Sequence, residues 1–235
     1  MEETKQTGFM KKVIKIFTSP TQVFTEIKEN PKVLKPILFL IVASIVVVLL
    51  SGTVNQIAQT KMMNLMVEKY DMNIPQNTQT NNQTTMIIGA VFTPVMLLIV
   101  LSFSALLYWA LSKMLKGKAT YKQVFCVCAY SSIIMYVFSI VSVIICTILN
   151  TDVNPFSLAV FIPNGSYDSF LYDLLMSINL IGVWSTIVSA IGLSIVNEFN
   201  KAKGYWITFS IYILGALISA GSAMIPFMLQ GMMHK

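Results

Sequence analysis

Five long apolar stretches restrict the fold of this sequence more than any other feature. Each stretch holds 19 to 26 residues, and none contains Asp, Glu, Lys, Arg or His. The hydrocarbon core of a bilayer is ~30 Å thick, and a helix needs about 20 residues to cross it. Each stretch is therefore predicted to form a transmembrane helix. The five stretches are residues 36–54, 86–111, 124–149, 174–196 and 205–229.

The composition agrees with an integral membrane protein, because 55% of the residues are hydrophobic and only 11% are charged. Inside a bilayer every backbone N–H and C=O must be hydrogen-bonded within the protein, which leaves helices and closed barrels. The strict alternation of barrel strands is absent. We therefore predict an all-α fold, a polytopic membrane bundle of five transmembrane helices over residues 36–235. A cytoplasmic segment, residues 1–35, precedes it.

The lysines predict the orientation of the bundle. All 16 basic residues are lysines, and 13 of them lie before the first stretch or in the second and fourth connections. A lysine at the membrane centre costs roughly 2.5 to 3.5 kcal/mol on insertion scales, and lysine-rich connections stay in the cytoplasm. We expect a cytoplasmic N-terminus, a C-terminus outside, and no cleavable signal peptide. The net charge of +6 then indicates contact with anionic headgroups and not with nucleic acid. Arginine is absent whereas Lys, Asn and Ile are common, which is compatible with an AT-rich bacterial genome, and we expect the plasma membrane of a bacterium.

The N-terminal segment has the pattern of an amphipathic helix. Apolar residues recur at helical spacing from Phe9 to Phe17, with Lys11, Lys12 and Lys15 between them. Such a helix lies in the membrane interface, and its lysines face anionic headgroups. We expect the two phenylalanine rings to anchor the apolar face in lipid.

A second short helix follows. Ser19 precedes Pro20, and Gln22 stands three residues after the serine, which is a capping-box arrangement. The helix is predicted to run through Glu29 and to bury one stripe. That stripe consists of Val23, Phe24 and Ile27.

The two connections on the predicted outer side differ. After the first span we expect a helical continuation to Tyr70 and then a flexible loop, since residues 73–85 are mainly Asn, Gln and Thr. Residues 150–170 contain an apolar run, so this connection is predicted to lie along the outer interface.

Small residues at four-residue spacing predict where the helices pack, because lipid offers no hydrophobic drive for helix association. The packing could occur within one protomer or between two, so a homo-oligomer remains open. The residues that we assign to helix packing are Gly182, Gly215, Ser219 and Ala223.

A polar groove between the spans is an alternative use of the same helices. Asn179 is the most unusual polar residue inside a stretch, and its amide could bridge to a neighbouring helix or line a cavity. Pro94 should bend the second span. The candidate groove residues are Pro94, Asn179, Ser185 and Ser189.

The sequence offers little for catalysis. The sole histidine is His234, next to the end of the chain, so one chain cannot assemble a histidine-based catalytic or metal site. Cys126, Cys128 and Cys146 lie in an apolar stretch and are interpreted as packing residues. We predict no enzyme activity, no metal and no cofactor. The carboxylates assigned to a solvated outer rim are Asp152, Asp168 and Asp173.

Several short motifs follow one another along the chain. They are Ser19-Pro20-Thr21-Gln22-Val23-Phe24, Asn30-Pro31, Lys35-Pro36, Thr120-Tyr121-Lys122-Gln123-Val124-Phe125, Ala129-Tyr130-Ser131-Ser132, Asn154-Pro155-Phe156-Ser157-Leu158, Trp184-Ser185 and Ile191-Gly192-Leu193-Ser194. Their order and spacing resemble the Yip1 domain family of five-span membrane proteins, and the bacterial members most. One departure is Ile133-Ile134, where many members carry a proline.

The resemblance implies a non-enzymatic integral membrane protein. Eukaryotic relatives are linked to small GTPases and vesicle traffic, whereas bacterial members generally lack an assigned activity, so we do not transfer the GTPase role.

Our leading hypothesis is a membrane-organising protein that binds membrane lipids, or a membrane or peripheral protein, through a lysine-rich cytoplasmic face. The alternative is a small permease or a lipid-handling, scramblase-like protein that uses the groove. The lysines of the face are Lys11, Lys12, Lys15, Lys113, Lys116, Lys118 and Lys122.

Overall fold

A computed structural model describes residues 8–70, 82–162 and 165–233. The described part of the chain is helical throughout, apart from turns and one isolated pair of bridged residues. His234 and most of the predicted flexible loop lie outside the described residues. The helices are α1 (Phe9–Thr18), α2 (Pro20–Glu29), α3 (Leu34–Leu50), α4 (Gly52–Tyr70), α5 (Asn82–Met114), α6 (Tyr121–Ile148), a 3₁₀ helix (Leu158–Phe161), α7 (Phe170–Ser177), α8 (Leu180–Asn197) and α9 (Lys201–Met233).

Four of these helices, α5, α6, α8 and α9, are each long and apolar enough to cross a membrane. Together α3 and α4 pass the same test but are bent by 57° at Ser51, so they would make a fifth span if they cross as one. The chain is thus an all-helical protein with four or five candidate spans. The continuation of helix to Tyr70 is as predicted, whereas the sequence did not indicate the bend.

The boundaries of α2 are also as predicted, from Pro20 to Glu29, and its stripe of Val23, Phe24 and Ile27 is at most 1% exposed. The capping box is wrong, however. The Ser19 side chain makes no cap hydrogen bond, and the Gln22 N–H instead donates to the Ser19 carbonyl oxygen at 3.1 Å.

The helices form two compact units. The first unit contains the described residues of 1–44 together with 94–138 and 181–212. In it α1 runs parallel to α6, because the Phe9 ring lies 6.4 Å from the Tyr130 ring and the Phe17 ring lies 6.3 Å from the Phe138 ring. The chain then reverses at Ser19, and α2 returns along the bundle. Residues 9–29 therefore form a helical hairpin beside α6.

The hairpin corrects the expected position of the Phe9 and Phe17 rings. Both rings contact other aromatic rings of the protein, and Phe17 also packs edge-on against Trp184 at 5.7 Å. Each ring is only partly exposed, so the protein covers part of the surface that was expected to lie in lipid. The apolar side chains of α1 that remain exposed are Met10, at 63%, and Ile14, at 64%.

The second unit contains the remaining described residues, and in it the fourth predicted span is interrupted. Helix α7 ends at Ser177 and α8 begins at Leu180, so residues 174–196 are not one continuous helix. An extended segment takes the place of the missing turn. The Leu158 N–H donates to the Ile178 carbonyl at 3.0 Å, and the Leu180 N–H donates to the Phe156 carbonyl at 2.9 Å.

Candidate functional site

The lysine-rich loop between α5 and α6 is fixed to the end of α8 by one buried side chain, Asn197. Its Oδ1 accepts the Ala119 N–H at 3.2 Å, and its Nδ2 donates to the Ser112 Oγ at 3.3 Å and to the Leu193 carbonyl at 3.0 Å. Asn197 and Ala119 are each 1% exposed. The amide therefore satisfies a buried donor that water cannot reach.

The same loop passes so close to α8 that one position needs a glycine. A Cβ on Gly117 would lie 2.3 Å from Asn197 Oδ1 and 2.8 Å from the Phe199 ring and the Ser112 carbonyl oxygen. Both segments turn tightly here, since Lys116 before Gly117 and Glu198 after α8 adopt the left-handed conformation, with φ of 64° and 57°. The loop conformation is thus determined by packing on both sides.

Glu198 joins three segments of this face by ion pairs. Its two carboxylate oxygens accept from Lys28 Nζ at 2.7 Å and from Lys118 Nζ at 2.6 Å. The hydrogen bond from Lys118, followed by that from Lys28, lowers the pKa of Glu198 to about 2. The carboxylate therefore stays charged over the whole physiological range. Because the pair is solvent-exposed, its contribution to stability is small.

Gln123 connects the loop to the end of α2. Its Nε2 donates to the Lys28 carbonyl at 2.7 Å, while its Oε1 accepts the Thr120 N–H at 2.8 Å. The second contact closes the N-terminus of α6, where the first backbone N–H groups have no helical partner. One side chain thus caps α6 and holds the hairpin against it.

The lysines of the predicted face fall into two groups. Three are engaged: Lys12 pairs with Glu26 at 2.8 Å, Lys113 Nζ donates to the Gly117 carbonyl at 3.2 Å, and Lys118 pairs with Glu198. The remaining four lysines of the face form no ion pair with a carboxylate of the described residues, and they are Lys11, Lys15, Lys116 and Lys122.

The structure places the candidate groove residues in different settings. Ser185 is buried and donates to the Ser131 carbonyl at 3.0 Å, which is a contact between α8 and α6. Ser189 is buried as well, and α5 continues through Pro94 as one helix. Asn179 does not lie inside a helix, because it forms the isolated antiparallel bridge with Ser157. The prediction that Asn179 lies inside a continuous helix of the fourth span is therefore wrong.

A cleft does exist in the second unit, but other residues form it. Its volume is about 210 Å³, and it lies at the bend between α3 and α4, against α5. None of the four candidate groove residues lines it. The lining residues are Val48, Ser51, Gly52, Asn55, Gln56, Gln59, Met86, Gly89 and Thr93.

Of the residues predicted to pack helices together, the one in α8 is buried and two of those in α9 are exposed. Gly182 is buried in α8, and its carbonyl accepts the Thr186 hydroxyl at 2.8 Å. In α9, Gly215 and Ser219 are exposed, and a Cβ on Gly215 would meet nothing within 4 Å. The buried small residues of α9 are Ala216, at 7%, and Ala220, at 0%. The seam inside the protomer is thus shifted by one residue from the predicted Gly215, Ser219 and Ala223. Self-association through the latter stays a prediction.

The predicted outer carboxylates are not a solvated rim. Asp152 is 9% exposed and accepts from Lys61 Nζ at 2.5 Å and from the Tyr167 hydroxyl. Asp168 accepts from Lys69 Nζ and from the Ser166 hydroxyl. The signal that sequence reasoning missed was the pair Lys61 and Lys69, two lysines on the side otherwise poor in them.

The three cysteines, Cys126, Cys128 and Cys146, are buried and unbridged. Within residues 8–70, 82–162 and 165–233, no cluster of three or more His, Cys, Asp or Glu side chains is placed to bind a metal ion.

Comparison with known proteins decides the family. The Yip1 domain matches residues 14–223 of the chain. The chain belongs to the Yip1 family. The chain is also similar to "Membrane protein YknW" of Bacillus subtilis (strain 168), with 30% identity over 208 residues. The match covers 86% of this chain and 85% of that protein. No solved structure matches the chain.

The Yip1 match gives a structural meaning to the motifs found in the sequence. Ser19-Pro20 forms the reversal of the hairpin, and Gln123 caps α6 and holds α2. Asn154 shapes the turn before the bridged segment, because its Oδ1 accepts the Phe156 N–H at 2.9 Å and the Ser142 hydroxyl at 3.1 Å. These motif residues therefore hold local structure in this Yip1 protein.

Proposed function

We propose that this multi-pass Yip1-family protein is non-enzymatic and binds anionic groups of lipid headgroups or of a partner protein through a small lysine-rich face. In this proposal residues 36–235 cross the membrane five times, with α3 and α4 acting as one bent span. The N-terminus is then in the cytoplasm of a bacterium and the C-terminus is outside. The distribution of the lysines supports this orientation.

One observation supports the binding role. The backbone of the loop between α5 and α6 is fixed by its contacts, while lysine side chains on and next to the loop stay exposed. Asn197, Gly117 and Glu198 determine the loop conformation. Lys116 and Lys122 are exposed on that loop and at the start of α6, and neither pairs with a carboxylate of the described residues. A fixed backbone lowers the entropy that binding must overcome.

The hairpin lysines take a secondary part in this proposal. Since α1 runs parallel to α6 from Tyr130 to Phe138, Lys11 and Lys15 lie beside the body of α6 and not beyond its end. Their long side chains would have to extend along the bundle to reach headgroups. The loop lysines have no such restriction. We therefore place the face at Lys116 and Lys122.

The test uses two double variants that remove equal charge from the same loop. Lys116→Gln with Lys122→Gln removes the unengaged lysines, and Lys113→Gln with Lys118→Gln removes the engaged ones. The full-length protein is placed in nanodiscs of phosphatidylcholine and phosphatidylglycerol, and the lipids retained with it are measured by native mass spectrometry. The same variants are crosslinked in membranes and recovered partners are quantified.

We expect the first double variant to retain less phosphatidylglycerol, or less of one recovered protein, than the second. A phosphatidylglycerol effect identifies lipid as the partner, and an effect confined to the crosslinked protein identifies a protein. Equal retention and equal recovery for both double variants would contradict the proposal.

A further inference from the structure

Asp173 in the first turn of α7 is a buried carboxylate without a complete set of partners. The residue is 7% exposed, and its Oδ2 has no hydrogen-bond donor among the described residues. Buried carboxylates are normally paired or hydrogen-bonded, because a desolvated charge is otherwise costly. Asp173 therefore requires an explanation.

The groups around Asp173 do not supply the missing donor. The two lysines of the outer carboxylate cluster already have partners, because Lys61 pairs with Asp152 and Lys69 with Asp168. The Tyr167 hydroxyl donates its hydrogen bond to Asp152 and so does not donate to Asp173.

The residue before Asp173, Tyr172, is closely packed. The Tyr172 and Tyr167 rings pack edge to face with centroids 6.0 Å apart. A Cβ on Gly165 would lie 1.9 Å from the Tyr172 ring, which leaves no space beside it. Asp173 also lies near enough to Asp168 to feel the like charge of that carboxylate.

We propose that Asp173 is a proton-binding site, and that protonation strengthens the packing of α7 against the loop of residues 165–169. The proton would bind a carboxylate oxygen and remove the buried charge, with no other bond made or broken. On the proposed orientation this site faces the outside of the cell.

The expected pH window follows from the neighbouring groups. Burial, and then the charge of Asp168, raises the pKa of Asp173 to about 6. A carboxyl in an unfolded chain has a pKa of about 3.9. Since the folded protein binds the proton more tightly, stability rises as the pH falls through about 6 and levels off near 4. The pKa values of Asp152 and Asp168 are lowered, so their ion pairs are lost only below this window.

The experiment measures the thermal unfolding temperature of the full-length protein in phosphatidylcholine nanodiscs from pH 7.5 to 4.5. The wild type should become more stable as the pH falls, and Asp173→Asn should lose most of that dependence. Glu198→Gln is the matched control. It removes a carboxylate whose pKa is about 2, and it should keep the wild-type dependence.

Infrared spectroscopy of the wild type provides a readout that does not require the variant to fold. A protonated carboxyl band should appear with a midpoint near pH 6. A wild-type unfolding temperature that is flat or falls between pH 7.5 and 5, or the absence of that band, would overturn the proposal. So would an Asp173→Asn variant that keeps the full pH dependence.

Discussion

Replacing Asn197 with alanine should release the loop between α5 and α6 without unfolding the bundle. The Ala119 N–H would then be buried with no acceptor, since Ala119 is 1% exposed and the Asn197 Oδ1 is its partner at 3.2 Å. A buried unsatisfied donor costs about 1 to 3 kcal/mol. The other two contacts add less, because the Ser112 hydroxyl can rotate and the Leu193 carbonyl keeps its second lone pair.

Hydrogen exchange of residues 115–120 in nanodiscs measures this cost directly. A loss of about 1 to 3 kcal/mol corresponds to a roughly 5- to 150-fold faster exchange, because each 1.4 kcal/mol is a factor of ten. Asn200→Ala is the control, since Asn200 is exposed on the following turn and its Oδ1 accepts only at 3.4 Å. Exchange of this loop at the wild-type rate in both variants would show that the Asn197 side chain does not hold it.

Two further predictions concern packing and pH. Gly192→Ala should lower the free energy of unfolding by about 1 to 3 kcal/mol through overpacking, since its Cβ would lie 2.7 Å from Val127 and 2.9 Å from the Phe24 ring. Gly215→Ala should be neutral, because its Cβ would meet nothing within 4 Å, and an equal loss for both in thermal unfolding would contradict the packing described for α9. The Glu198 ion pairs stabilise the folded protein fully at pH values above about 4.3, the pKa of a glutamate in an unfolded chain. That contribution is lost as the pH falls towards about 2, the pKa of Glu198 in the folded protein. The difference in unfolding temperature between the wild type and Glu198→Gln should therefore persist at pH 4 and decrease with added salt, and its disappearance at pH 5 would argue against the lowered pKa.

The sequence predicts the parts of this fold that depend on local composition. Apolar length identifies the long helices, and proline with asparagine identifies α2, whose ends at Pro20 and Glu29 are as predicted. Periodicity also identifies the buried stripe of α2. These features are determined by a few neighbouring residues and by the physical need to satisfy the backbone in lipid.

Tertiary partners determine what the sequence could not predict. The break before α8 exists because Phe156 and Leu158, some twenty residues earlier, supply the hydrogen bonds that replace a helical turn. The hairpin beside α6 depends on ring contacts of Phe17 that periodicity alone cannot distinguish from contacts with lipid.

The candidate site shows the same limit. Lysine counting finds the loop, but it cannot tell that Lys113 and Lys118 are engaged whereas Lys116 and Lys122 are not. Likewise, small-residue spacing finds α9 but not its register, because Gly215 and Ala216 differ by only one position and face different surroundings.

The most direct test of the central claim asks whether the two ends of the chain lie on opposite sides of the membrane. Lys11→Cys and Lys235→Cys are each expressed in cells and treated with a membrane-impermeant maleimide. The wild type is the background control, because its three cysteines are buried. Five crossings predict labelling of Lys235→Cys in intact cells and of Lys11→Cys only after permeabilisation. Labelling of both variants under the same condition would contradict the account.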